Sequence, residues 1–251
     1  MSSKSQQRIV LVTGSNDGIG YELVRLLAQE GHRVYLSSRS EDKGKAAQYL
    51  KTEHGLEVKY VRIDVTDEES ILAAKELIEK EEGRADVLVN NAGMLGIPTR
   101  SPAADADLSA FHQAFETNFF GLISVTNAFL PLVRKSSTQN GFAVILNVTS
   151  GLASNANQAN ASIRNPGPFS AYNASKAALN SYTIALGHEL KGENIRVNVV
   201  TPGITATKFT GFYGSRTAED GARVLLPFAL LGAEDGDKTG LFHGPEGVMP
   251  W

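Results

Sequence analysis

Six short apolar runs alternating with helical stretches limit this chain to a narrow set of folds. The strand-like runs are Arg8–Thr13, Arg33–Ser38, Val58–Ile63, Val87–Asn90, Phe142–Val148 and Ile195–Val200. Helical patterns fill the intervals at Ile19–Glu30, Asp42–His54, Glu68–Glu81, Leu108–Arg134 and Ala171–Lys191. Runs of Val, Ile and Leu are strands buried on both faces, and helices between them act as crossovers to parallel neighbours. Right-handed crossovers leave an α/β architecture, a doubly wound parallel sheet with helices on both faces. No long Gly/Ser linker, charge run or repeat interrupts the series, so residues 1–251 are expected to form one domain.

Composition narrows the chemistry. The chain has no cysteine, which excludes disulfides, thiolate metal sites and thiol nucleophiles. Its 24 Lys and Arg against 27 Asp and Glu are interspersed, so no nucleic-acid partner is expected. The five histidines are scattered and no metal site is expected. No stretch approaches the ~18–20 apolar residues of a membrane span, so the chain reads as soluble and cytoplasmic with no membrane partner. The sequons at Asn147, Asn160 and Asn173 are therefore read as unglycosylated.

Two stretches depart from the pattern. Residues 155–169 are polar and rich in Asn and Pro; residues 201–215 are rich in Gly and Thr. Both follow strand ends. In an open α/β sheet ligands sit beyond the carboxyl ends of the strands, so substrate loops are expected at about 151–170 and 203–217.

The first strand runs into Thr13-Gly14-Ser15-Asn16-Asp17-Gly18-Ile19-Gly20, which opens the first helix. Gly14 permits a tight turn, Gly18 allows backbone to approach a pyrophosphate, and Gly20 lets the helix pack against the strand. Free N–H groups at the helix start meet the anion. Alone, a glycine triplet is weak, because strand–helix turns often carry glycine.

Further motifs follow in order: Asp64-Val65, Asn90-Asn91-Ala92-Gly93, Asn118 within Thr117-Asn118-Phe119-Phe120-Gly121, Ser150 after the fifth strand, Tyr172-Asn173-Ala174-Ser175-Lys176, and Pro202-Gly203 with Ile204 and Thr207. Together they resemble the short-chain dehydrogenase/reductases, in the branch with T-G-x-x-x-G-x-G and Y-x-x-x-K. The likeness covers about Arg8 to Ala222. It implies a Rossmann-type fold and hydride transfer between a nicotinamide cofactor and a carbonyl or alcohol.

Tyr172 and Lys176 are four apart and share one face of a helix. A phenol near pKa 10 gains acidity beside an ammonium, so Tyr172 is expected to shuttle a proton. Ser150, at a strand end, can hydrogen-bond a substrate carbonyl. There is no G-x-S-x-G elbow to make it a hydrolase nucleophile. The resemblance implies that Asn118 joins the relay through a water on its backbone carbonyl. It also implies that Lys176 holds the nicotinamide ribose, that Asp64 and Val65 meet the adenine, and that Asn91, Ala92 and Gly93 line the cofactor. Pro202, Gly203, Ile204 and Thr207 would fix the nicotinamide amide.

Cofactor choice turns on the end of the second strand. An acid there binds a ribose 2′-hydroxyl, whereas arginine accommodates a 2′-phosphate. The chain has Ser38-Arg39, with Lys43 nearby, which favours NADP(H) over NAD(H). Asp17 stands where many NADP-dependent relatives carry a base, and an acid near the phosphate would repel it unless it is paired or turned away.

Within the family the resemblance is strongest to carbonyl reductases, which implies NADPH-dependent reduction of a ketone or aldehyde. The residues expected to shape the pocket are Met94, Leu95, Leu152, Ile163, Phe169, Phe209, Phe212 and Tyr213. The alternatives are a dehydrogenase oxidising an alcohol or hydroxysteroid, and a non-catalytic nucleotide sensor on the same fold. A homodimer or homotetramer is slightly favoured over a monomer, since Leu108–Arg134 and Ala171–Lys191 could pair across a two-fold axis.

Overall fold

The computed structural model describes residues 7–96, 100–160 and 169–251. Its elements are, in order, β1 (Ile9–Val12), α1 (Gly18–Gln29), β2 (Arg33–Ser38), α2 (Lys45–His54), β3 (Val58–Arg62), α3 (Glu68–Glu82), β4 (Val87–Asn90), α4 (Leu108–Phe115), α5 (Gly121–Asn140), β5 (Ala143–Val148), α6 (Asn155–Ala159), α7 (Ser170–Leu190), β6 (Ile195–Val200), α8 (Ala218–Ala229), β7 (Phe242–Gly244) and β8 (Gly247–Val248). The strands form one sheet in the order β3-β2-β1-β4-β5-β6-β7-β8. All neighbours pair in parallel except β7 and β8.

The two-residue period of a strand divides the core. Ile9 and Leu11 of β1 join Leu88, Ile145 and Val197 beneath α3, α5 and α7. Val10 and Val12 join Val34, Val89, Val144 and Leu146 beneath α1, α2 and α8. Both faces are covered, which is why β1, β4 and β5 carry no polar alternation.

Strand order reverses between β1 and β4, so their carboxyl ends flank the crevice where an open α/β sheet binds ligands. A buried polar ladder ties that edge to the helices. Asn90 Nδ2 donates to Thr126 Oγ1 (3.0 Å) and Asn147 Oδ1 (2.9 Å), and Asn147 Nδ2 donates to Thr183 Oγ1 (2.9 Å). Asn147 and Asn173 are buried, so two of the three sequons are closed to glycosylation in the folded chain.

The structure differs from the sequence expectation in four places. The helix expected over Leu108–Arg134 is α4 and α5 joined by a wide π turn at Glu116–Phe120, and α5 continues to Asn140. Pro131 does not end it, because the carbonyl it deprives of a partner belongs to Asn127, and both residues are solvent-exposed. The polar stretch after residue 154 begins as the short helix α6, capped by Ser154, whose Oγ accepts from Asn157 N at 3.1 Å. The helix α8 lies outside the sequence expectation; Thr217 and Asp220 form its capping box, and Ala222, Leu225 and Ala229 are buried. Strands β7 and β8 are too short to show a period.

Among the described residues no helix is long and apolar enough to cross a membrane, and no group of three or more His, Asp or Glu is arranged to hold a metal ion.

Candidate functional site

The glycine turn is held by contacts across the switch point. Gly14 has φ +59°, and a side chain there would put Cβ 2.8 Å from Ala92 Cα. Thr13 Oγ1 accepts from Asn91 N (3.0 Å) and Ala92 N (3.1 Å). Asn91 Nδ2 donates to Thr13 O (2.9 Å) and Gly14 O (3.0 Å). The ends of β1 and β4 are thus one unit, and Thr13 is a framing residue whose part the sequence reading left undescribed. Ser15 is wholly buried; its Oγ donates to Val12 O (2.7 Å) and accepts from Ser37 N (2.9 Å). Its side chain therefore builds the turn, as does its backbone N–H, which donates to Ser37 O at 2.8 Å. Asn16, Gly18 and Ile19 are half-buried along the turn, and Gly20 is buried beneath it.

The four expected catalytic residues are brought to the carboxyl ends of β4 and β5. Ser150 follows β5, and its Oγ accepts from Leu152 N at 3.2 Å. The Ser150 hydroxyl lies near enough to the Tyr172 phenol to favour its ionised form. Tyr172 and Lys176 lie on α7 and are both buried. Asn118 is fully buried in the π turn. Its Oδ1 accepts from Met94 N (2.8 Å), and its Nδ2 donates to Met94 O (2.8 Å) and Ser175 Oγ (3.0 Å). Ser175 Oγ in turn donates to Tyr172 O at 2.8 Å. The Asn118 side chain thereby staples the loop after β4 to α7. Gly93 lies over this group: a Cβ there would sit 3.1 Å from Asn118 Oδ1 and 3.5 Å from Lys176 Nζ. Glycine keeps that space open.

The electrostatics depart from the expectation drawn from spacing. Burial pushes the Tyr172 phenol up to about 12, opposed in part by the nearby Ser150 hydroxyl. Burial pushes the Lys176 ammonium down to about 8. The expected lowering of the phenol by the ammonium is absent because Lys176 Nζ donates to Val148 O at 2.8 Å, and desolvation dominates both groups.

At the far end of the crevice Ser38 is buried, with Oγ donating to Ser40 O at 2.8 Å. Arg39 is exposed, and among the described residues its guanidinium forms no ion pair. Arg62, at the end of β3, donates to the Arg39 carbonyl (3.3 Å) and pairs with Asp67 (3.1 Å). Arg62 is a cation that the sequence reading, which names Lys43 beside Arg39, does not include, because its place next to Arg39 is set by β2–β3 register. Asp17 caps α1, accepting from Gly18 N at 2.7 Å, and pairs with Lys208 Nζ at 2.7 Å. Asp64 Oδ1 accepts from Thr66 N (3.0 Å), so its side chain closes the turn after β3. The Val65 carbonyl lies 2.7 Å from where a Cβ on Gly121 would fall, packing that loop on α5.

The loop after β6 forms the remaining wall. Pro202 and Thr207 are buried, and Thr207 lies against Gly18, whose added Cβ would be 3.5 Å from Thr207 Cγ2. The Phe209 ring lies 5.8 Å from the Tyr172 ring. Ile204, Phe209, Phe212 and Tyr213 are exposed apolar side chains on this one loop. Met94, Leu95, Leu152 and Phe169 are half-buried. Ile163 lies outside the described residues.

Known proteins bear on this geometry. A family model described as short chain dehydrogenase matches residues 8–217. Short-chain dehydrogenase anuI of Penicillium roqueforti is 34% identical over 235 residues, covering 90% of this chain and 89% of that protein. Cyclopentanol dehydrogenase of a Comamonas strain is 36% identical over 227 residues, covering 90% and 83%. The solved structure of NADPH-bound carbonyl reductase from chicken fatty liver superposes with TM-score 0.84 at 26% identity, covering 98% of this chain and 99% of that one.

Proposed function

The chain belongs to the short-chain dehydrogenase/reductase family of oxidoreductases, and from that premise we propose that it reduces a ketone or aldehyde to an alcohol with NADPH. The observation that carries the reading is the buried Tyr172 phenol, near Ser150 and sharing a helix with the buried Lys176, whose Nζ borders the space Gly93 leaves open.

A nicotinamide cofactor, when bound, supplies the hydride. The glycine turn from Gly14 to Gly20, with Asn91, Ala92 and Gly93, provides the backbone cradle for it, and Pro202, Gly203, Ile204 and Thr207 face it from the β6 loop. Ser150 donates a hydrogen bond to the substrate oxygen. Tyr172 gives its phenolic proton to that oxygen as negative charge develops. A phenol held near 12 keeps its proton at neutral pH, the state a donor needs. Lys176, held near 8, is largely cationic at neutral pH and would hold the nicotinamide ribose from its place beside Val148. Asn118 fixes the loop and helix that carry these groups.

Three features support NADPH. Ser38 offers no carboxylate to repel a 2′-phosphate, and Arg39 presents an exposed guanidinium with Arg62 beside it. The Asp17 charge is compensated by Lys208, which weakens the objection that an acid at this position raises.

A second reading is oxidation of a cyclic secondary alcohol, favoured by the 36% identity to cyclopentanol dehydrogenase. It needs the phenolate as base, which the raised Tyr172 pKa disfavours near neutrality. The deciding experiment assays cyclic ketones, diketones, aldehydes and quinones with NADPH and NADH, and cyclopentanol with NADP and NAD. Reduction with NADPH is expected to dominate at pH 7, Tyr172→Phe to lose about 10²–10⁴ in turnover, and Arg39→Asp to shift preference toward NADH. Unchanged turnover in Tyr172→Phe, or unchanged cofactor preference in Arg39→Asp, overturns the corresponding part.

A further inference from the structure

Two loops must be held in register for the proposed chemistry: the one after β5, which carries Ser150, and the one after β6, which carries Pro202 and Gly203. One buried hydroxyl bridges them. Thr201 directly follows β6 and is 4% exposed. Its Oγ1 accepts from Gly151 N at 3.1 Å and from Gly203 N at 3.3 Å. A hydroxyl oxygen has two lone pairs, and here each receives a backbone N–H from a different loop. Gly151 is the residue after Ser150, and Gly203 carries φ +77° at the head of the β6 loop.

The hydroxyl is aimed by the rest of the residue. Threonine is branched at Cβ and stiff at χ1. Thr201 N donates to His243 O at 2.9 Å, which pins the backbone to β7. Its methyl group faces Gly244, where an added Cβ would lie 3.2 Å from Thr201 Cγ2. The residue is thus fixed by sheet pairing on one side and by packing on another, and the oxygen is left between the two amides.

We propose that Thr201 is a positioning residue that sets the distance between the Ser150 loop and the Pro202-Gly203 loop, and so aligns the substrate oxygen with the cofactor. The inference rests on the reading of Ser150 and Gly203 given above. It predicts a role for Thr201 that involves no contact with substrate or cofactor. Misplacement of reacting groups by about 1 Å can cost about 10²-fold in rate. Loss of one shared acceptor is expected to allow part of that displacement.

The test uses Thr201→Val, which keeps shape and branching but deletes the acceptor, with Thr201→Ser, which keeps the acceptor but loses the methyl. On the ketone that the wild-type enzyme reduces best, Thr201→Val is expected to lower kcat about tenfold, with KM for NADPH changed less than about threefold, and Thr201→Ser to recover most of the loss. A wild-type kcat in Thr201→Val, or an equal loss in both variants, overturns the proposal. Amide hydrogen exchange supplies a readout independent of turnover: the Gly151 and Gly203 amides should exchange faster together in Thr201→Val and stay protected in Thr201→Ser. Should Thr201→Val not fold, Thr201→Ala serves in the same two measurements. A wild-type enzyme inactive on every carbonyl tested defeats the functional reading above, while unchanged exchange at the two glycines defeats the bridge itself.

Discussion

Replacing Gly20 by alanine sets two opposed effects against each other. Gly20 lies inside α1, where alanine is favoured over glycine by about 1 kcal/mol. The added Cβ, however, would fall 2.4 Å from Asn91 Nδ2, 2.9 Å from Ser15 Cα and 3.0 Å from Gly14 O. Two of these atoms are backbone and cannot swing aside. Overpacking of this kind costs about 1–3 kcal/mol. The third atom can move only by giving up the Asn91 bonds to Thr13 O and Gly14 O, at about 0.5–1.5 kcal/mol each. The net expectation is a destabilisation of about 3 kcal/mol, equivalent to about 6–12 °C in Tm for a chain of this length. Thermal unfolding followed by circular dichroism, with NADPH titration alongside, measures both the stability and the cradle. A Tm equal to or above that of the wild type would show that helix propensity governs the site and would refute the close-approach argument.

Removal of the buried Asp86 side chain should be comparably severe. Its carboxylate accepts from Ile9 N (2.7 Å), Arg84 Nε (2.8 Å), Ser136 Oγ (2.6 Å) and Asn140 Nδ2 (2.8 Å), so Asp86→Ala should cost about 3–5 kcal/mol in urea unfolding; a loss below 1 kcal/mol contradicts this. Lys176→Met should alter the pH dependence of stability. The folded chain holds Lys176 near 8 against an ordinary 10.5, so between those values the unfolded chain binds a proton that the folded chain does not. Wild-type stability should therefore gain up to about 3 kcal/mol, relative to the variant, as pH rises through that window, and lose it as pH falls. Urea midpoints from pH 7.5 to 11 that stay parallel in the two proteins would refute the assignment.

The parts of the fold legible in the sequence are those that depend on local pattern. A strand buried on both faces is largely apolar, so β1, β4 and β5 stand out where the chain reads Val, Ile and Leu without alternation, while β3 and β6 carry Lys59, Arg62, Arg196 and Asn198 among their Val and Ile. The glycine turn and the Tyr172–Lys176 pair are equally local, because a sharp turn and a helix repeat each fix residue type at fixed spacing. The short strand β7 carries no such signal; it exists because the edge of β6 has backbone groups to satisfy, as Val199 N and Thr201 N do with Leu241 O and His243 O.

What only the tertiary structure decided is which distant groups meet. The sequence placed an acid at Asp17; the fold set Lys208 against it. Spacing put Lys176 beside Tyr172 and implied an acidified phenol, whereas packing buried both and turned the ammonium toward Val148 O, reversing the direction of the shift. Thr201 looked like a strand-end residue until the order β5-β6-β7 set its hydroxyl between two loops. Periodicity records whether a residue is buried, but a hydrogen bond or an ion pair depends on distances that exist only after the strands have taken their order.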